Sequence, residues 1–443
     1  MNHIFVLALD DFNLELLRGI RDAEQFRFHP LLDYADLVRA PHYPMADLLA
    51  RAERQLREFP ERITGLICHW DFPSSTMAPV LRRRFGLIGP SLESVLRSEH
   101  KYWSRLVQRQ VVPELVPGFC LVDPYADTSL AALAIAPPFW LKPVRAHSSH
   151  LGFRIATEAD YQHALHDIRQ QLPRYAEPFN VILSCADLPA EIAAADGYHC
   201  IAEEFLEADA LCTLEGYVFQ GRSRIYGIVD TVRDPHAGTM QRYQYPSNLP
   251  KAVQARMCTA AATVMEHIEY DNGPFNIEFF YQSERDQLML LEINARISKS
   301  HCLLFAMVEG ASHHEVAVCL AVGREPQFPR GEGPFAYAAK FMLRHFEDAQ
   351  VNAVPDREQI RRLQQELSGM AINIHVRTGD RLSQLRDQDS YSYEYAELFL
   401  GGTSPAELEE KWQLCRTQLS FDFSELPAYT EADSSPGLIS RRS

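Results

Sequence analysis

Apolar residues along this chain fall into short continuous runs that alternate with stretches of helical spacing, the pattern of strands laid against helices. Ile4-Phe5-Val6-Leu7-Ala8-Leu9 predicts a first buried strand, and the stretch Asn13 to Ala23 a helix. A helix over Met45 to Glu58 precedes a strand over Ile63 to Cys68, and Val80 to Phe85 leads into Gly86-Leu87-Ile88-Gly89-Pro90. These units predict a small doubly wound domain over residues 1–90, although no GxGxxG dinucleotide fingerprint follows its first strand.

From Ser91, the positions Leu92, Val95, Leu96, Trp103, Leu106 and Val107 keep helical spacing up to Pro113, so 91–137 reads as a helical linker that ends in a Pro- and Ala-rich stretch. A smaller unit over 138–206 follows: a strand Phe139-Trp140-Leu141-Lys142-Pro143, a helix from Glu158 to Gln171 and a strand from Tyr198 to Phe205. The unit over 207–428 is larger and mixed. Its strands are expected at Leu211 to Phe219, Ser223 to Thr231, Phe275 to Tyr281, Leu288 to Asn294, Ala336 to Leu343 and Ala371 to Val376, with helices at Val253 to His267 and Asp356 to Leu367. A polar tail occupies 429–443, and no internal repeat is present.

Composition fits a globular α/β protein of several domains: 443 residues, of which 46% are hydrophobic and 23% charged. The 43 Lys and Arg against 59 Asp and Glu give a net charge of −16, which opposes docking on nucleic acid or on an anionic membrane. Nine scattered cysteines without a CxxC pair point to reduced thiols rather than disulfides or a cysteine zinc site. The run Ile4 to Leu9 is too short for a signal-peptide core and no later run reaches the length of a membrane helix, so the expectation is a cytoplasmic protein.

The most informative segments are Phe275-Asn276-Ile277-Glu278-Phe279-Phe280-Tyr281 and Leu288-Met289-Leu290-Leu291-Glu292-Ile293-Asn294, joined by the charged turn Ser283 to Asp286. Side chains alternate along a strand, so Glu292 and Asn294 share a face. In a hairpin, Glu278 lies opposite Leu291 or Glu292, and the second register brings all three oxygen ligands together. Facing carboxylates among apolar neighbours repel unless a cation joins them, and oxygen-only ligands with Arg296 nearby suit Mg²⁺ carrying phosphates. Lys101, Lys142, Arg242 and Arg296 are the cations available to those phosphates; Lys142 lies inside an apolar strand, where an unpaired ammonium is costly. No P-loop GxxxxGK[ST] occurs.

These residues resemble the ATP-grasp superfamily, in the branch of biotin carboxylase and the carboxylate-amine (L-amino acid) ligases, and the likeness runs from the first strand to beyond residue 400. Glu292-Ile293-Asn294-Ala295-Arg296, preceded by Glu278, is similar to the family's Mg²⁺ and triphosphate site, with Glu278, Glu292 and Asn294 as metal ligands and Mn²⁺ as a substitute ion. Lys101 resembles the first nucleotide-contacting lysine and Lys142 the second; the loop that follows, with His147, Ser148 and Ser149, is implied to fold over the phosphates. The segment Ile201 to Leu206 resembles the strand beside the adenine. Glu203 is implied to take the adenine amino group, backbone groups of Phe205 and Leu206 to complete that edge, and Glu207 or Asp209 to hold the ribose. Gln241-Arg242-Tyr243-Gln244-Tyr245 resembles the lid segment of biotin carboxylase.

The resemblance implies an ATP-grasp fold: a doubly wound N-terminal domain, a small central lid domain and a C-terminal mixed α/β domain. It also implies an ATP- and Mg²⁺-dependent ligase that activates a small carboxylate as an acyl phosphate for attack by an amine, with Arg296, Lys142 and Arg242 as catalytic cations. Relatives often pair as homodimers. The alternatives are a biotin carboxylase-like enzyme and a nucleotide-binding protein without turnover; in the first, Ser300 stands where that enzyme carries a catalytic glutamate before a histidine, here His301. Ser300 and His301 either line the acceptor pocket or, for His301, cap a helix near Leu303. His313-His314-Glu315 lacks a second histidine at helical spacing and reads as a helix surface, and Asp389-Ser390-Tyr391-Ser392-Tyr393 as structural.

Overall fold

The computed structural model describes residues 1–146, 150–233, 239–385, 388 and 392–425. His147, Ser148, Ser149, Asp389, Ser390, Tyr391 and the tail 429–443 lie outside the described residues.

Three parallel strands, in the order Phe26–Leu31, Asn2–Leu7, Ile63–Ile67, build the first sheet. The middle strand is buried from Ile4 to Leu7, as its unbroken apolar run requires. The strand Phe26–Leu31 escapes the hydrophobic pattern because it contains Pro30, which cannot donate to a ladder and is tolerated at this edge position. The first helix spans Asp11–Arg18 rather than Asn13 to Ala23: Asp10 caps it by accepting the Asn13 amide at 2.7 Å, and Gly19 ends it. The helix Met45–Glu58 is where its periodicity places it.

A four-stranded antiparallel sheet, in the order Phe119–Val122, Cys200–Glu204, Phe139–Pro143, Phe153–Ile155, forms the second layer. The helices Leu92–Glu99 and Lys101–Val111 account for the helical spacing after Ser91, but Phe119–Val122, inside the stretch expected to be helical, is a strand. Four residues are too few to announce a period of two. The helix Glu158–Gln171, started by a Thr157–Asp160 capping box, and the helix Pro173–Leu183 bury Tyr161, Leu165, Tyr175 and Phe179 in one core with Phe139 and Leu141.

The third layer is an eight-stranded sheet with antiparallel pairing throughout, ordered Gln287–Asn294, Gly273–Gln282, Ala210–Phe219, Arg222–Arg233, Met240–Tyr245, Tyr337–His345, Tyr393–Gly402, Ala371–Ile374. One face takes the helix Lys251–His267, where Cys212 Sγ lies 3.8 Å from Met257 Sδ, and the helix Pro405–Gln418, whose Trp412 stacks on Phe341 at 4.4 Å. The other face receives the helix Cys302–Glu309, with Phe305 stacked on Tyr245 at 4.1 Å. That helix sits tightly, since a Cβ on Gly227 would fall 2.3 Å from the Phe305 ring. The next helix, His313–Ala321, bridges to the first sheet: Ala317, Val318 and Ala321 share a core with Ile4, Val6 and Ile67. Among the described residues no single helix is long and apolar enough to cross a membrane.

Candidate functional site

The strand pair Gly273–Gln282 and Gln287–Asn294 takes the second of the two registers: Glu278 lies opposite Glu292 and Asn276 opposite Asn294. The next strand continues both rows, with Thr213 opposite Glu278 and Glu215 opposite Asn276. Directly paired residues share a face, so Asn294, Asn276 and Glu215 form one transverse row and Glu292, Glu278 and Thr213 the next. Asn276, an unforeseen member, orders its row: its side-chain oxygen accepts from Asn294 Nδ2 at 3.0 Å and its amide donates to the Arg296 carbonyl at 3.0 Å. Its position two residues before Glu278 was the available signal, since period two puts both on one face.

Cations surround the carboxylate pair. Lys101 Nζ lies 3.0 Å from Glu292 Oε1 and donates to the Ala146 carbonyl at 3.0 Å. Lys142 Nζ lies 2.6 Å from Glu203 Oε2. Burial and the facing Glu292 raise the Glu278 carboxyl to about 7, with Arg296 and Lys142 opposing. Burial also works against ionisation of Glu292, but Lys101 and Lys142 outweigh it and hold that group below its usual range. The half-buried carboxylates of Glu278 and Glu292, with the Asn294 amide oxygen beside them, form an all-oxygen donor set next to cations, which fits a hydrated Mg²⁺ bearing phosphates.

Two buried networks missed in the sequence hold this arrangement. Arg105, 2% exposed, donates to Glu203 at 2.6 Å and to the carbonyls of Leu290 and Leu291, each at 2.7 Å. It therefore joins the helix Lys101–Val111 to both the four-stranded sheet and the strand Gln287–Asn294. Helical spacing carried a signal for it, because residue 105 follows Lys101 by one turn on the same face. Asp71, in the loop after the strand Ile63–Ile67, accepts from Arg296 at 2.6 Å and from Arg145 at 2.5 Å, while Arg145 also pairs with Glu99 at 2.9 Å. Burial opposes the charge on Arg296, but Asp71 raises its pKa above the ordinary arginine value.

Several expected roles change. Glu203 has both carboxylate oxygens engaged, one by Arg105 and one by Lys142, so any adenine amino group would share an oxygen with one of these cations. Burial resists its charge, yet those two cations pull it down to about 2. Asp209 accepts from the backbone amide and hydroxyl of Ser283 at the hairpin turn, and Glu207 is exposed. Phe205 and Leu206 follow the end of the strand Cys200–Glu204, the Phe205 ring lying 6.2 Å from that of Trp140.

Arg242 leaves the site altogether. Thr213 pairs with Val229, and Thr231 pairs with Tyr243, which pairs with Lys340, so Tyr243 belongs to the Glu278 face and its neighbour Arg242 to the opposite one. There Arg242 lies over Phe341 and meets Glu409 of the helix Pro405–Gln418 at 3.2 Å. The segment 241–245 is interior sheet rather than a lid. His313, His314 and Glu315 are buried, not a helix surface, because the helix they open is wedged between two sheets; Glu315 is the partner of Arg21. Ser300 accepts from Lys340 Nζ at 3.2 Å, and Lys340 also pairs with Glu397.

The elevated Glu278 gives a pH test. A carboxyl whose folded pKa is raised contributes stability fully present below its ordinary 4.5 and lost as pH rises through about 7. The metal-free protein is therefore expected to lose thermal stability between about pH 5 and about pH 8 more steeply than its Glu278→Gln variant, measured by differential scanning fluorimetry. Parallel curves would mean that Glu278 titrates normally.

Residues 135–303 match the family model described as an ATP-grasp domain. No curated protein matches the chain. Among solved structures it is similar to an L-amino acid ligase from Bacillus licheniformis, with a TM-score of 0.69 and 13% identity over 96% of this chain and 99% of that one. A biotin carboxylase–β-γ-ATP complex from Campylobacter jejuni aligns with a TM-score of 0.63 and 15% identity, over 95% of this chain and 92% of that one. N5-carboxyaminoimidazole synthase from Aspergillus clavatus, in complex with ADP and 5-aminoimidazole ribonucleotide, aligns at 0.64 and 14%, over 94% and 98%.

Proposed function

We propose, from the premise that this chain carries an ATP-grasp domain, that it is an ATP- and Mg²⁺-dependent carboxylate–amine ligase acting on small molecules. The observation that carries this reading is the facing pair Glu278 and Glu292, with Asn294 in the adjoining row and Lys101, Lys142 and Arg296 around them. In this reading Glu278, Glu292 and Asn294 hold Mg²⁺, or Mn²⁺ in its place, and the ion supplies charge screening to the β- and γ-phosphates. Lys142 and Arg296 neutralise the charge that spreads over the transferring phosphoryl group.

A carboxylate oxygen of the acid substrate attacks the γ-phosphorus, the bond to the bridging oxygen breaks, and ADP leaves an acyl phosphate behind. The amine nitrogen then attacks the acyl carbon; the carbon–oxygen bond to phosphate breaks, releasing phosphate and one proton. Glu203 holds Lys142 in place, and the adenine edge is met by main-chain groups of Phe205 and Leu206.

Overlap along nearly the whole length with an L-amino acid ligase supports amino acids as first candidates, and Ser300 in place of a catalytic glutamate speaks against biotin. The test is Mg-ATP with a panel of amino acids and small carboxylic acids, with nucleotide products and amide formation followed by chromatography. ADP, phosphate and an amide are expected. AMP and pyrophosphate would overturn the acyl-phosphate route, and ADP release that depends on bicarbonate would assign the chain to the carboxylating branch.

A further inference from the structure

Behind the carboxylate pair, Glu215 extends the row of Asn294 and Asn276 into the protein interior, where it is completely buried. His301, in the turn Lys299–His301, brings Nδ1 to 2.8 Å from Glu215 Oε1, and His313, the first residue of its helix, brings Nε2 to 3.9 Å from the same oxygen. One ligand atom from each residue lies within 4.8 Å of the others. His301 Nε2 and both ring nitrogens of His313 meet no hydrogen-bond partner, a costly state for polar atoms that are all buried. Aromatic rings close the surroundings: Phe305 at 4.2 Å and Tyr226 at 5.2 Å from the His313 ring, and Tyr243 at 4.7 Å from that of His301.

We propose that Glu215, His301 and His313 form a site for a divalent ion of the zinc class, separate from the oxygen-lined Mg²⁺ site on the same sheet face. A proton shared between Glu215 Oε1 and His301 Nδ1 leaves His313 Nε2, which faces the same oxygen at 3.9 Å, without a partner; an ion among the three takes one donor atom from each residue. Two imidazoles and a carboxylate are the donor set of zinc-type ions rather than of Mg²⁺. The three ligands come from a strand, a turn and a helix fixed by tight packing, as a preformed site requires. The ion would pin the turn carrying Ser300 to the strand that pairs with Asn276, making its ligands positioning residues for the neighbouring site.

The test uses the full chain, stripped with a chelator and titrated with Zn²⁺ or Co²⁺ alone, without nucleotide. About one equivalent is expected to survive desalting, with a raised thermal midpoint and a visible Co²⁺ ligand-field spectrum of low coordination number. His313→Gln should lose that equivalent while Glu292→Gln keeps it, which separates the site from the one that serves the nucleotide. Absence of both retained ion and Co²⁺ spectrum in the parent protein would overturn the proposal, as would an equivalent that persists in the His301→Gln/His313→Gln double variant. The parent spectrum decides the matter even if a variant fails to fold.

Discussion

Glu292→Gln is expected to reduce nucleotide turnover by roughly a thousandfold or more while leaving the protein folded. The substitution keeps the shape of the side chain and removes its charge, so the facing Glu278 loses the like-charge neighbour that helps raise its pKa. Relief of that repulsion offsets part of what is lost when Lys101 and Lys142 no longer face a charged Glu292, so the metal-free protein stays folded. The pair proposed to bind the ion, however, becomes a single carboxylate, and Lys101 loses its 3.0 Å partner. ADP release under saturating Mg-ATP, set beside a thermal melt, separates the two effects. Turnover within tenfold of the parent would show that the metal is held elsewhere; loss of turnover together with loss of fold would show Glu292 to be structural.

Arg105→Met is the largest stability effect expected, about 3–5 kcal/mol, because it strips one partner from a buried carboxylate that keeps only Lys142. It also orphans the carbonyls of Leu290 and Leu291, which accept from the same guanidinium. Denaturant unfolding measures the loss, and adding Glu203→Gln should recover a good part of it, since the uncompensated charge then disappears. A cost below about 1 kcal/mol would mean that Lys142 alone suffices for Glu203.

How much of this was legible in the sequence depended on whether a signal was local. The hairpin from Phe275 to Asn294 announced itself because its acidic and amide positions stand at spacing two within apolar runs, and the register then followed from one paired choice. Lys142 stood out as a lone cation inside an apolar strand, Arg296 as the residue two past Asn294, and Lys101 only through the family resemblance. Arg242 was not, since the face a strand residue occupies depends on pairings with Thr231 and Phe341, which no local window contains. The misreading of His313 has the same origin: its partners Glu215 and His301 come from other elements, and its helix is apolar on both sides because two sheets enclose it. Glu203 was found, but its pairing with Arg105 was not legible, because that cation lies 98 positions away. The strand Phe26–Leu31 was hidden by a single proline.

The helix His313–Ala321 carries one more consequence. Its small residues sit so close to the first sheet that a Cβ on Gly65 would stand 2.9 Å from that of Ala321. Such contact leaves no clearance for sliding, so the first and third layers behave as one frame with a fixed gauge between Asp71 and the carboxylate rows. The four-stranded sheet that carries Lys142 joins that frame through a shared apolar core and, at its polar edge, through the guanidinium of Arg105, which holds Glu203 and the Leu290 carbonyl together.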